Sequence, residues 1–169
     1  MALSLNYRFL LMVTAVAALI SALLNMIASN VVWYGYELIP LWGRKSVTSY
    51  LYSTSIITSF ILVWLVTKST RYALRSKQIL PLHWHLKSQT LIDSLPSRAV
   101  PRSFILAIAS CFLTGFTLFL LDLREFYSFY SSEFFAFSTV YYILQSAAIA
   151  VMAIYRAMGD NVMHHAKVA

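Results

Sequence analysis

The sequence predicts an all-α integral membrane protein, a bundle of four transmembrane helices with both termini cytoplasmic. Three observations carry this reading. Hydrophobic residues make up 60% of the 169-residue chain and charged residues 11%, against roughly 45–50% and 25% in soluble domains; the mean hydropathy is +0.70. Four charge-free apolar runs, 9–28, 46–67, 103–121 and 134–155, each approach the ~20 residues a helix needs to cross a bilayer. Between the second and third run lies a basic stretch, 68–102. It carries Lys68, Arg71, Arg75, Lys77, Lys87, Arg98 and Arg102 against a single acid, Asp93.

Residues 1–8 are polar, with one cation at Arg8. The run 9–28 is longer than the core of a secretory signal, and Met26 stands where a cleavage site would want a small residue. It therefore reads as a retained first span. Residues 30–45 hold Trp33, Tyr34, Tyr36 and Trp42, side chains suited to the headgroup layer. Gly35, Pro40 and Gly43 interrupt helix there, so a short interfacial loop with at most one helical turn is expected.

The second span, 46–67, opens with Ser46, Thr48, Ser49, Ser53, Thr54, Ser55, Thr58 and Ser59. Small and hydroxyl residues favour close helix contacts in lipid, which places this face against protein. Nothing breaks helix before Pro81, so 68–77 should continue it beyond the membrane. Residues 83–85 (His-Trp-His) and 91–95 mix polar and apolar side chains, as a segment on the membrane surface would. Pro96 interrupts, and Pro101 suits the first turn of the third helix. The third span, 103–121, lies between Arg102 and Asp122. An aromatic-rich connection, 123–133, leads to the fourth span, 134–155, which Arg156 closes. The tail 157–169 contains Asp160, His164, His165 and Lys167. No internal repeat is evident, and the chain reads as one domain.

Orientation follows from charge. Arg8, the basic stretch, Arg156 and Lys167 fall on one side. Arg44, Lys45 and Arg124 fall on the other, together with Glu37, Asp122, Glu125 and Glu133. The positive-inside rule makes the basic side cytoplasmic. The net charge of +7 is thereby explained by topology, and no nucleic-acid partner is expected.

Several function classes lose their footing. Cys111 is the lone cysteine, so neither a disulfide nor paired-thiol redox chemistry is available. The four histidines, His83, His85, His164 and His165, lie outside the spans, whereas haem in a bundle needs ligands projecting from facing helices; no metal or cofactor is expected. No ionisable side chain lies in a span, as proton-coupled antiport would require. Asn25, Thr58, Thr114 and Gln145 read as packing contacts, and no grouping of nucleophile and base suggests a catalytic residue.

Two candidate surfaces remain. Tyr127, Tyr130, Phe134, Phe137 and Tyr141 follow a 3-4-3-4 spacing that shares one helical face, which would start the fourth helix near Glu125. This is a candidate packing or ligand face, and the Tyr141 hydroxyl should find an acceptor, with Gln145 the nearest. Arg71, Arg75, Lys77, Lys87, Arg98 and Arg102 are candidate contacts for anionic lipid headgroups.

Leu41-Trp42-Gly43 before the second span, the basic loop ending in Leu95-Pro96-Ser97-Arg98, and four spans in this order resemble small uncharacterised bacterial four-helix inner-membrane proteins. The resemblance implies a bacterial inner membrane and no particular activity. The expected function is non-enzymatic: an accessory or assembly subunit of a larger membrane complex, contacting other membrane subunits or further copies of itself. A small homo-oligomeric transporter or channel would need a polar, water-lined path. An intramembrane enzyme on lipid would need a polar cluster at headgroup level beside a cavity, for which His83, Asp93 and Arg98 are the candidates.

Overall fold

A computed structural model describes residues 4–81 and 94–165, with side chains as far as Asp160. Within them run four helices: α1 (Leu5–Val32), α2 (Val47–Arg75), α3 (Ala99–Leu123) and α4 (Ser131–His165). All 4 contain a window long and apolar enough to cross a membrane. Two three-residue strands, β1 (Leu38–Pro40) and β2 (Ser128–Tyr130), pair antiparallel with Ile39 opposite Phe129.

The helix ends have local causes. Ser46 caps α2 through a reciprocal box, its hydroxyl accepting from the Ser49 N–H while Ser49 Oγ accepts from the Ser46 N–H. α2 stops in a Schellman motif: Lys77 N–H donates to Leu74 O and Gln78 N–H to Ala73 O, with Lys77 at φ 58°. α3 stops the same way, with Glu125 N–H on Asp122 O, Phe126 N–H on Leu121 O, and Glu125 at φ 59°.

That second motif corrects the expected start of the fourth helix near Glu125. The chain turns out of helix at Glu125, Ser128–Tyr130 becomes a strand, and α4 begins at Ser131. Tyr127 and Tyr130 thus leave the helical stripe, and both are exposed. The expected interfacial loop at 30–45 likewise supplies β1 rather than only a helical turn. Leu41 N–H donates to Tyr127 O and Ser131 N–H to Glu37 O at the two ends of the pairing. Beyond the fourth span, α4 continues through Arg156 and Asp160, where a tail was expected. No proline interrupts it, and Asp160 is anchored on arginines from three helices.

α2 and α4 pack together at the centre, α1 lies along α4 and α3 along α2, while α1–α2 and α3–α4 touch only marginally. The units α1–β1–α2 and α3–β2–α4 therefore repeat one element order with matching neighbours, although their sequences show no repeat. The N-terminus sits at the α2 C-terminal end, where the Asn6 amide donates to Leu80 O and accepts from Leu80 N–H at 3.0 and 2.9 Å. The start of α1, the end of α2, the start of α3 and Asp160 of α4 thus share one basic end, and the strand pair closes the other.

Two buried apolar clusters divide the interior. Near the strands, Trp33 meets Tyr50 and Phe134 with ring centroids 6.2 and 5.9 Å apart, against Ile39, Leu41 and Phe129. Towards the basic end, Val63, Val66, Leu106, Ile149, Ala153 and Ile154 form the second cluster. The small residues on α4 bring its backbone close to α2, as helix contacts in lipid favour.

Candidate functional site: an arginine–aspartate cluster above a sealed polar seam

At the basic end, Asp160 receives three guanidinium groups. Arg156, one turn earlier on α4, donates from Nη1 to Oδ1 at 2.8 Å. Arg102, in the first turn of α3, donates from Nη2 to Oδ2 at 2.6 Å, and Arg71, near the end of α2, from Nη2 to Oδ2 at 2.7 Å. The segment entering α3 folds over the cluster with its carbonyls inward. Leu95 O accepts from Arg156 Nε at 2.7 Å, Pro96 O from Arg102 Nε at 3.0 Å, and Ser97 O from Arg102 Nη2 at 3.0 Å and from Arg71 Nη2. A buried ion pair persists only when further hydrogen bonds satisfy its remaining groups. The planar guanidinium fork can do this, bonding a carboxylate with one arm and carbonyls with another.

The satisfaction is incomplete in one respect. Arg102 is 0% exposed and its Nη1 is buried without a hydrogen-bond partner. Among the described residues three cations share one carboxylate, so the cluster as described holds positive charge in excess. It adjoins the N-terminus of α3, where the N-cap residue Arg98 makes no side-chain cap and the first turn has no acid. The positive end of that helix dipole adds to the same excess.

Below the apolar cluster lies a seam of uncharged polar groups joining all four helices. Asn25 of α1 accepts from the Tyr50 hydroxyl at 2.9 Å and donates to Ser138 Oγ at 3.0 Å. Gln145 of α4 accepts from Ser55 Oγ at 3.2 Å and donates to Ser59 Oγ at 3.3 Å, both on α2. Thr114 of α3 donates to Ser55 Oγ at 3.1 Å and lies 2.7 Å from the Tyr141 hydroxyl. Thr54 and Tyr142 share a hydroxyl contact. A gap of about 10 Å³ beside Ser59 and Gln145 is room for at most one water.

The sequence-predicted residues divide accordingly. Arg71 and Arg102 enter the cluster, Arg102 as a fully buried ion-pair member rather than a side chain on the open surface. Arg75, Lys77 and Arg98 are exposed at the same end and outside the cluster. Lys87, His83, His85 and Asp93 lie outside the described residues, as do the side chains of His164 and His165. On the aromatic stripe, Phe134, Tyr141 and Gln145 are buried and Phe137 is half-buried inside this chain. Tyr141 is partnered by Thr114 rather than Gln145. Thr58 bonds the Thr54 carbonyl of its own helix at 2.6 Å. Of the hydroxyl-rich start of α2, Ser46, Ser55 and Ser59 are buried whereas Ser49 and Ser53 are exposed.

Arg156 and Asp160 pair because α4 continues past residue 155, which the apolar run alone does not show. Their i, i+4 spacing is the signal that a longer helix would have exposed. Outward, α3 presents Phe104, Phe112, Phe116 and Phe119, and an open apolar groove of about 470 Å³ runs beside Tyr52 and Gly115. No family model, curated protein or solved structure matches the chain.

Proposed function

We propose that this is a non-enzymatic polytopic protein of the bacterial inner membrane, its basic end cytoplasmic, acting as an accessory or assembly subunit. It would pack against other membrane subunits through the outer faces of α1 and α3. The observation that carries this reading is the filled interior. The polar seam is bounded on one side by the Trp33–Tyr50–Phe134 cluster and on the other by Val63, Val66, Leu106 and Ile149. Its groups bond one another across the helices, as packing contacts do.

A transporter or channel path would have to cross that apolar layer between Gln145 and Asp160. A path formed between copies would have to run along helix faces that are apolar on the outside, such as Leu19, Leu23 and Ile27 of α1. A lipid-modifying reaction would need a free base or nucleophile at the headgroup level; both carboxylate oxygens of Asp160 are held by arginines, and His83 and Asp93 lie outside the described residues. The outward surface is the part of the molecule this reading engages. α3 in particular carries a row of phenylalanines, whereas lipid tails are satisfied by aliphatic side chains.

Purification from native membranes in gentle detergent, with identification of co-purifying proteins, tests the reading. A stoichiometric membrane partner is expected. Solute flux in proteoliposomes containing the protein alone would overturn it.

A further inference from the structure

We propose that the Arg71–Arg102–Arg156 cluster binds a phosphate-bearing anion, either the headgroup of an anionic phospholipid or free phosphate, at the N-terminus of α3. This rests on the cluster alone and not on the assembly reading above. Among the described residues three guanidiniums converge on one carboxylate, whose charge offsets one of them. A buried Arg nitrogen without a partner is costly, and Arg102 Nη1 is such an atom. Arg102 is fully enclosed and Arg156 and Asp160 nearly so, whereas the Arg71 side chain is 31% exposed. Arg71 is therefore the open side by which an anion reaches the cluster. The adjoining helix is 25 residues long and begins without a side-chain cap or an early acid, so the positive end of its dipole beside Arg102 is not neutralised locally. Phosphate fits these donors because guanidinium forks bond two of its oxygens at once. The site also lies at the end of the spans, the level of lipid headgroups.

The test uses the full-length protein in detergent, with native mass spectrometry resolving discrete bound lipids. Phosphatidylglycerol, phosphatidylcholine and inorganic phosphate are the probes. One phosphatidylglycerol should be retained in preference to phosphatidylcholine. Arg71→Gln should weaken retention about tenfold or more, as loss of a charged hydrogen bond does, and Arg71→Lys should restore part of it. Arg75→Gln, which removes the same charge outside the cluster, should leave it unchanged. Asp160→Asn, which increases the uncompensated charge, should tighten it several-fold if the variant keeps its helical circular dichroism.

Displacement of the lipid by millimolar inorganic phosphate would identify the free ion as the ligand; persistence of the lipid would identify the headgroup. Equal losses in Arg71→Gln and Arg75→Gln would reduce the effect to diffuse surface charge and overturn the proposal. So would equal retention of the two lipids with no response to Arg71→Gln.

Discussion

Replacing Asp160 with alanine should be the most damaging single substitution at the basic end. The carboxylate accepts from Arg102 at 2.6 Å, Arg71 at 2.7 Å and Arg156 at 2.8 Å. Removing it strands Arg102, whose side chain is 0% exposed, and Arg156, at 8%. Breaking a buried pair by deleting one partner costs about 3–5 kcal/mol, because an uncompensated charge is left behind. Arg71 is 31% exposed, so its share falls in the range of about 0–1 kcal/mol typical of hydrated pairs. The expected loss for Asp160→Ala is therefore about 3–5 kcal/mol, with Arg71→Gln costing about 1 kcal/mol or less. Helical circular dichroism followed through an SDS titration in mixed micelles gives both values. A loss below about 1 kcal/mol for Asp160→Ala would refute the reasoning, since the three arginines would then be hydrated and independent.

Gln145→Leu should cost only about 1 kcal/mol in the same titration, because its two interhelical bonds to Ser55 and Ser59 average about 0.6 kcal/mol each in membranes and leucine fills similar space. Glu125→Gly and Lys77→Gly should each stabilise by about 1 kcal/mol, since both side chains sit at positive φ, where a residue with a Cβ is strained by about 1–2 kcal/mol; no change in the unfolding midpoint would count against the Schellman assignment. With Cys111→Ser as background, an impermeant thiol reagent outside intact cells should label Tyr127→Cys but not Lys77→Cys, and the reverse pattern would invert the orientation.

The four helices were legible because hydropathy and charge are local properties of the sequence: α1, α3 and α4 contain their predicted apolar runs, and α2 contains all of its run but the N-cap Ser46. The basic extension of α2 was legible for the same reason, with no breaker before Arg75. The strand pair was not. Tyr127, Tyr130 and Phe134 fit a helical spacing, yet Ser128, Phe129 and Tyr130 also alternate exposed–buried–exposed. A partner strand some 90 residues earlier decides between the two periods, and short aromatic runs do not reveal such a partner.

The arginine cluster was hidden by a sound rule applied too broadly. Positive-inside counting treats Arg71, Arg102 and Arg156 as interchangeable topological charges, and only the fold brings Asp160 among them. The polar seam was half-visible. Asn25, Thr114 and Gln145 stood out as polar residues in apolar runs, but their partners Tyr50, Ser138, Ser55 and Ser59 depend on which helices are neighbours.

The proposal that this protein acts through its outer helix faces on other membrane proteins can be tested in place. Photo-crosslinking in the native membrane tests it most directly, with a photoreactive residue replacing Phe112, which is 76% exposed on α3, or Leu118, which is 1% exposed on the same helix. The account predicts a discrete adduct with a different protein from position 112 and only intramolecular products from position 118. Adducts from position 112 confined to lipid would contradict it.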